Sequence, residues 1–482
     1  MYQAIVLGVS ALLCVGLLYI FKGKEDDKFN KMLKILTVVY CAVGFCRFFL
    51  TDSFIFVING GVLDYVKYDK TDYLQSIIRW GYYVNYSVLP MAVFYSGRLF
   101  KNIASYFCVP FTLLSAVFFD DFMAYFLEKN SHGYALTPTV RYIYFILELV
   151  LALIIPVLMQ IRGKHVFNIK NKKEVTDFLM GLPLVVLICT PVYLPQSLFG
   201  YRAFAPKGGS AFHLGWLAVL FVVTIGLYYF FRFKCRESRM ELCMFLAILL
   251  FFHHQSLYLQ GLNITRLPFQ LCNIAAYFYL IALVFKLEKF FHFAFIANIV
   301  GALIAILMPD FSTGAIGFFN MHYVIEHSLD VMVPAMVMGL RIFPRVEKRS
   351  LKYTAIGFTI YFVFVFILGT LFNGIFDEFW LKTGEPIVNY FFMFDIEKAI
   401  DFFPFLTSIL ENSVVQIGKF TVIPIMVGII YVAFSLLCFV FYLVVRFSYK
   451  LEDDHLALRG SSIDLYEKLT HKTSRRPKQF ID

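Results

Sequence analysis

Charge is scarce in this sequence. Only 16% of its 482 residues are Asp, Glu, Lys or Arg, against about 25% in a soluble domain. The hydrophobic fraction is 60% and the mean hydropathy +0.72, which leaves too little polar material to cover a water-soluble chain of this length. Long stretches of strand-period alternation are absent, which argues against a transmembrane β-barrel. There are nine cysteines but no Cys-x-x-Cys and no clustered Cys/His spacing, so neither a disulfide framework nor a zinc site is expected. No Walker loop, no Gly-x-Gly-x-x-Gly after a strand and no Gly-x-Ser-x-Gly elbow occurs. No cofactor is expected.

Long apolar runs are what the sequence has instead. A helix needs about 20 apolar residues to cross a ~30 Å hydrocarbon core. Such runs begin with Gln3 to Phe21 and continue at roughly 35–58, 76–97, 103–125, 141–161, 176–198, 213–231, 241–258, 267–285, 290–308, 322–342, 353–373 and 421–446. Helices satisfy their own backbone groups, as lipid demands. The expectation is an all-α, polytopic transmembrane helical bundle of about thirteen spans. The first run lacks a basic leader and an Ala-x-Ala exit, so it reads as a retained span rather than a cleaved signal.

The formal net charge is +10. Lys22, Lys24, Lys28, Lys31 and Lys34 follow span one; Arg98 and Lys101 follow span three; Arg162, Lys164, Lys170, Lys172 and Lys173 follow span five. The pattern repeats after spans seven, nine, eleven and thirteen, while the alternate connections are poorer in positive charge. The positive-inside rule then gives an external N-terminus and a cytoplasmic C-terminus. The basic tail reads as a topology anchor near anionic lipid, not as a nucleic-acid site.

The chain also resembles itself. LFKNIASYFCVPFTLLSAVFFDDF from Leu99 parallels KLEKFFHFAFIANIVGALIAILMPDF from Lys286, and YFILELVLALIIPVLM from Tyr144 parallels YVIEHSLDVMVPAMVM from Tyr323. Glu148 and Pro156 then match Glu326 and Pro334, and Arg79 matches Arg266. The offset falls from about 187 to about 178 residues and contains six spans, which suggests a parallel 6+6 duplication plus a thirteenth helix. The corresponding organisation is a first repeat over 1–211, a second over 212–373, an external loop over 374–420, a last span over 421–448 and a tail over 449–482. Asn85 and Leu149 occupy the slots of Cys272 and His327, so any chemistry falls to the second repeat.

Polar groups at membrane depth are expensive, and those present are candidates for function. They are His253 and His254 (with Gln255) on span eight, Arg266, Gln270, Cys272 and Asn273 on span nine, Asp310 in the Met308–Pro309–Asp310 turn, and His322, Tyr323, Glu326, His327 and Asp330 on span eleven. Tyr323, Glu326, His327 and Asp330 follow i, i+3, i+4, i+7 spacing and are expected on one stripe, with His322 at its border. Cys272 lies about one turn after Leu267–Pro268, near a helix N-terminus that favours a thiolate. A Cys–His pair suits acyl transfer, with a carboxylate orienting the base. The same residues could bind a metal, relay protons in a transporter, or bond neighbouring helices.

These residues carry a resemblance. LPFQLCNIAAYFYLIAL, the Met-Pro-Asp turn and FFNMHYVIEHSLDVMVPAMVM look like the bacterial YwaF-type integral membrane family, over about residues 212–345. That family has a Leu-Pro-x-x-x-Cys helix, a Thr-Pro-Asp turn and a later helix with one His. Gln270 stands where it often has His, and Met308 where it has Thr. Its eukaryotic relatives include a membrane acyltransferase that remodels ether phospholipids. The resemblance implies a Cys nucleophile and a His partner, at Cys272 and His327, and a bacterial plasma membrane as the location.

The expected function is therefore a lipid acyltransferase or hydrolase at the external leaflet, with phospholipid as its partner. Glu326 or Asp330 would orient His327, and Arg266 would hold a phosphate. The alternatives are a transporter or channel for a small solute or protons and a structural or assembly membrane protein without catalysis. The 374–420 loop, rich in aromatics, reads as an interfacial or re-entrant helix or as a lid. Asn263-Ile264-Thr265 is a sequon in a short external turn.

Overall fold

Apolar side chains repeated around a whole helical circumference leave a helix nothing to show water, and the structure is built from such helices. It is a computed structural model that describes residues 1–49, 73–95, 98–126, 138–162, 172, 175, 179, 206–255, 267–309, 311, 318–375, 388–395, 407–417 and 420–458. The expected span at 176–198, except Leu179, lies outside the described residues, as do Arg266, Asp310, the sequon and the tail beyond Leu458. Seven of the described helices are long and apolar enough to cross a membrane: Tyr2–Ile20, Phe100–Val117, Tyr142–Ile161, Ala211–Phe231, Glu288–Leu307, Lys348–Gly374 and Pro424–Glu452. The chain divides into two compact units, Met1–Leu194 with Gln255–Asn263, and Pro195–His254 with Ile264–Asp482.

In the first unit, α1 (Tyr2–Ile20) and α2 (Asp26–Phe49) both pack on α7 (Pro138–Ile161). Tyr2 stacks on Tyr142 at 4.4 Å and on Phe119 at 5.1 Å. The remaining helices are α3 (Tyr73–Pro90), α4 (Arg98–Ile103), α5 (Val109–Val117) and α6 (Phe119–Phe126). Two π-helical turns, Met91–Tyr95 and Ala104–Cys108, interrupt this series. The first directly follows Pro90, which has no N–H to give the i−4 carbonyl and crowds it, so the helix widens there. Buried Asn85 donates to Thr112 Oγ1 at 3.0 Å. Gly44 lies against the Tyr86 ring, where a Cβ would collide.

The second unit contains α8 (Ala211–Phe231), α9 (Arg236–Gln255), α10 (Leu271–Phe285), α11 (Glu288–Leu307), α12 (Phe318–Gly339), α13 (Lys348–Ile375), a short α14 (Thr407–Glu411) and α15 (Pro424–Leu458). Ser210 caps α8 by accepting from the His213 amide, as hydroxyl caps do. Helix α11 is central and packs on α10, α12, α13 and α15. Outward side chains of α8 and α15 are large and apolar: Phe221, Val222, Ile225, Val432, Leu436 and Val444 are all exposed. In water such faces are a liability, whereas against lipid they are the solvated surface. At one end, Arg345 pairs with Glu452 at 2.7 Å and Glu452 also bonds the Tyr228 hydroxyl.

The described part of the 374–420 loop departs from the expected interfacial helix. Strands β1 (Val415–Ile417) and β2 (Phe420–Val422) form an antiparallel ribbon. Residues 388–395 make a strap with a single 3₁₀ turn at Tyr390–Phe392, and Val388, Tyr390, Met393 and Phe394 are buried. Asn373 grips it in both directions, donating to the Val388 carbonyl at 2.9 Å and accepting from the Val388 amide at 3.0 Å. Gly369 makes room for Phe394 and Tyr390. A helix over this stretch would lose that two-way amide clasp.

Candidate functional site

The candidate side chains come from α9, α10 and α12. His253 and His254 end α9; His322, Glu326, His327 and Asp330 lie along α12; all six are buried. Glu326 is the hub. Its Oε1 accepts from His254 Nδ1 at 2.9 Å, and its Oε2 accepts from His322 Nδ1 at 3.0 Å. The His322 contact is an i, i+4 pair on one helix, the spacing that brings side chains together. The His254 contact ties α9 to α12. His253 lies within electrostatic reach of His322 and Glu326. A carboxylate has enough lone pairs for two imidazole donors, which fixes both rings.

Farther along α12, Asp330 is fully buried, and neither of its carboxylate oxygens has a hydrogen-bond partner among the described residues. Around it are Tyr279 of α10, whose hydroxyl donates to the Asp330 backbone carbonyl at 3.3 Å, and Asn298 of α11, which approaches the Tyr279 phenol. Cys272 is half-buried, is the second residue of α10, and lies within electrostatic reach of both Asp330 and Glu326. Its Sγ donates to Asn273 Oδ1 at 3.4 Å.

Helix α10 starts under several restraints. Tyr361 of α13 donates to the Phe269 carbonyl at 2.6 Å. Gln270, the N-cap residue, makes no cap bond with its side chain. That side chain reaches the strap instead, donating to the Asn389 carbonyl at 3.1 Å and accepting from the Phe391 amide at 3.4 Å. Phe391 and Phe392 hold positive φ angles of 54° and 59°, a conformation bulky residues rarely adopt. Phe391 is held by its surroundings, packing on Phe358, Tyr361, Phe362 and Phe434.

The expected stripe on α12 divides in two. Glu326 and His327 are adjacent, so about 100° of helical rotation separates them. His322 and Glu326 meet α9, whereas Tyr323 and His327 keep different company. Tyr323 packs on Trp216 and Phe311 and bonds the Ala305 carbonyl at 2.7 Å, and His327 stacks on Tyr323 at 4.2 Å. Ser328 accepts from Trp216 Nε1 at 2.7 Å. His327 Nδ1 bonds the Tyr323 carbonyl at 2.8 Å. A carbonyl only accepts, so Nδ1 carries hydrogen and the neutral ring keeps its lone pair on Nε2.

One expectation is corrected by this geometry. Glu326 does not orient His327, because both its oxygens hold other histidines; nor does Asp330, whose carboxylate bonds no side chain. Cys272 and His327 each make a hydrogen bond to a neighbour on their own helix, Asn273 and Tyr323. Among the described residues no group of three or more His, Cys, Asp and Glu side chains is arranged to hold a metal ion. Tyr279, Asn298, Tyr361 and Asn389 were missed from the sequence. Asn298 carried a readable signal, as a carboxamide in the apolar run FIANIVGALIAIL.

Residues 209–442 match the TMEM164 family model. The family is one of membrane proteins, and the match runs from before α8 into α15, so it covers every described candidate side chain of the second unit. The TMEM164 match and the exposed apolar helices agree: this is an integral membrane protein. The match stands where a YwaF-type resemblance was expected, and it names no reaction. Comparisons with curated proteins and with solved structures give no match.

Proposed function

We propose that the protein transfers acyl groups between membrane lipids, with Cys272 as the acyl acceptor and His327 as the base. The observation that carries this reading is the tautomer of His327: its Nδ1–H is fixed by the Tyr323 carbonyl, which leaves the lone pair on Nε2 to accept a proton. The thiol proton passes to Nε2 and sulfur attacks the ester carbonyl. The S–C bond forms, the C–O bond breaks, and the departing alkoxide takes the proton from the imidazolium. A second lipid alcohol, or water, then reverses the sequence. Before the attack the thiol must leave Asn273 and turn toward Nε2, a rearrangement that substrate binding drives in loosely assembled apo sites.

Depth supports the same reading. Helix α10 has 15 residues, about 22 Å at 1.5 Å per residue. With Lys286 and Lys289 at its far end, Cys272 lies below the opposite membrane surface, where lipid ester carbonyls are found. The bridged His254–Glu326–His322 set is also what proton-coupled carriers use, so the experiment includes that outcome. Full-length protein in nanodiscs is given a phospholipid carrying an alkyne-tagged acyl chain. Wild type acquires a hydroxylamine-labile label, Cys272→Ala acquires none, and His327→Ala labels at least ~100-fold more slowly. Equal labelling of Cys272→Ala ends the proposal. Proton flux through proteoliposomes with no label in any variant replaces it with transport.

A further inference from the structure

The first unit holds a cavity of about 260 Å³ lined by Asn30, Leu33, Lys34, Ala92, Val93, Phe94, Lys101 and Met159. Three of these residues, Ala92, Val93 and Phe94, belong to the π-helical turn after Pro90. The widened turn is what opens the space, since a π-turn displaces its backbone from the straight helical path. The lining has two clear sectors. Leu33, Ala92, Val93, Phe94 and Met159 make an apolar wall, while Lys34, Lys101 and Asn30 supply two ammonium groups and a carboxamide, with no carboxylate among them. Phe94 and the neighbouring Ile35 are exposed, so the cavity opens on a face of the kind that meets lipid.

The end of the unit around it is basic. Lys22, Lys24, Lys28 and Lys31 precede or flank Lys34. Asp26 pairs with Arg162 at 3.8 Å. We infer that this cavity binds the phosphate head group of an anionic membrane lipid, with Lys34 and Lys101 on the phosphate and the acyl chains leaving along Val93 and Phe94. The volume fits that division. It is smaller than the ~300–1,000 Å³ of sites that enclose a drug-sized molecule, so a head group enters and the chains stay in the bilayer. The apolar wall favours a lipid over free phosphate, and juxtamembrane ammonium groups draw anionic lipid by roughly fivefold each. The site is in the first unit and is independent of the chemistry proposed for Cys272.

The test is a titration of full-length protein, in a zwitterionic detergent, with phosphatidylglycerol, followed by native mass spectrometry. Phosphatidylcholine and inorganic phosphate serve as comparison ligands. Wild type should retain one phosphatidylglycerol well below the concentrations at which phosphatidylcholine binds. Lys34→Gln/Lys101→Gln should weaken that binding at least about tenfold, and Lys34→Arg/Lys101→Arg should restore most of it. Val93→Trp keeps both charges, fills the cavity and should also weaken it. Lys22→Gln/Lys28→Gln removes the same charge from outside the cavity and should leave binding within about twofold. Unchanged binding in the Gln pair or in Val93→Trp overturns the proposal. So does an equal loss in the Lys22/Lys28 control, which would reduce the effect to net charge. Displacement of the lipid by inorganic phosphate at equal concentration would overturn the lipid assignment in favour of a free-anion site.

Discussion

Glu326 serves two imidazoles with one buried carboxylate, and that is costly to disturb. Removing one partner of a buried pair leaves the other desolvated and uncompensated. Glu326→Leu should destabilise the protein by about 3–5 kcal/mol, read as a fall in the unfolding midpoint in detergent. Glu326→Gln keeps one acceptor but turns an amide donor toward a ring that also donates. It should lose about 1–3 kcal/mol. Midpoints equal to wild type in both variants would mean that the His254 and His322 contacts contribute nothing. The sequence named all three residues, because polar groups in apolar runs are conspicuous. It did not name their pairing. Periodicity gives the face of a helix a residue occupies, but not which neighbour turns toward that face, so Glu326 or Asp330 is expected to orient His327, whereas the Glu326 oxygens meet His254 and His322.

At the scale of elements, the strap over 388–395 is held by side-chain amides at two points, Asn373 and Gln270. Asn373→Ala removes both bonds to Val388. Each net bond is worth about 1 kcal/mol, so the strap's local opening should rise by roughly tenfold or more. Hydrogen exchange at 388–395 should speed up accordingly while amides in α11 stay protected. Exchange that rises equally in α11 would show that the variant loosens the whole unit and not the strap. The same variant should hasten maleimide labelling of Cys272 if the strap shields the start of α10. Such a segment is hard to read in sequence: the aromatics of NYFFMF suit an interfacial helix as well as a buried turn, and only the positive φ angles of Phe391 and Phe392 decide between them. The π-turns were equally silent, although Pro90 marked the place of the first.

At the scale of the molecule, the membrane character was plain from composition and run length, and the seven described helices able to cross a membrane overlap apolar runs of the sequence. The number of spans is a different matter. Helices α9 and α12 carry the polar candidates, and α10 is short, so length and hydropathy alone pass over all three. Orientation rests on charge: a fluorescent protein fused after residue 450 should fold and fluoresce on the cytoplasmic side, and an N-terminal epitope should be reachable by antibody on unpermeabilised cells. The reverse pattern would invert the arrangement and move Cys272 to the other leaflet.

One short helix has a further consequence. Within the second unit, 15-residue α10 is neighbour to a bundle that includes a 28-residue α13 and a 35-residue α15. Helix α10 is about 22 Å long against a ~30 Å hydrocarbon core, so a bilayer that meets its outer face thins there, at a fraction of a kcal/mol per ångström of mismatch. Thick, sterol-rich membranes oppose that dimple and thin ones welcome it. The acyl composition of the surrounding membrane is thereby coupled to how closely head groups can approach Cys272.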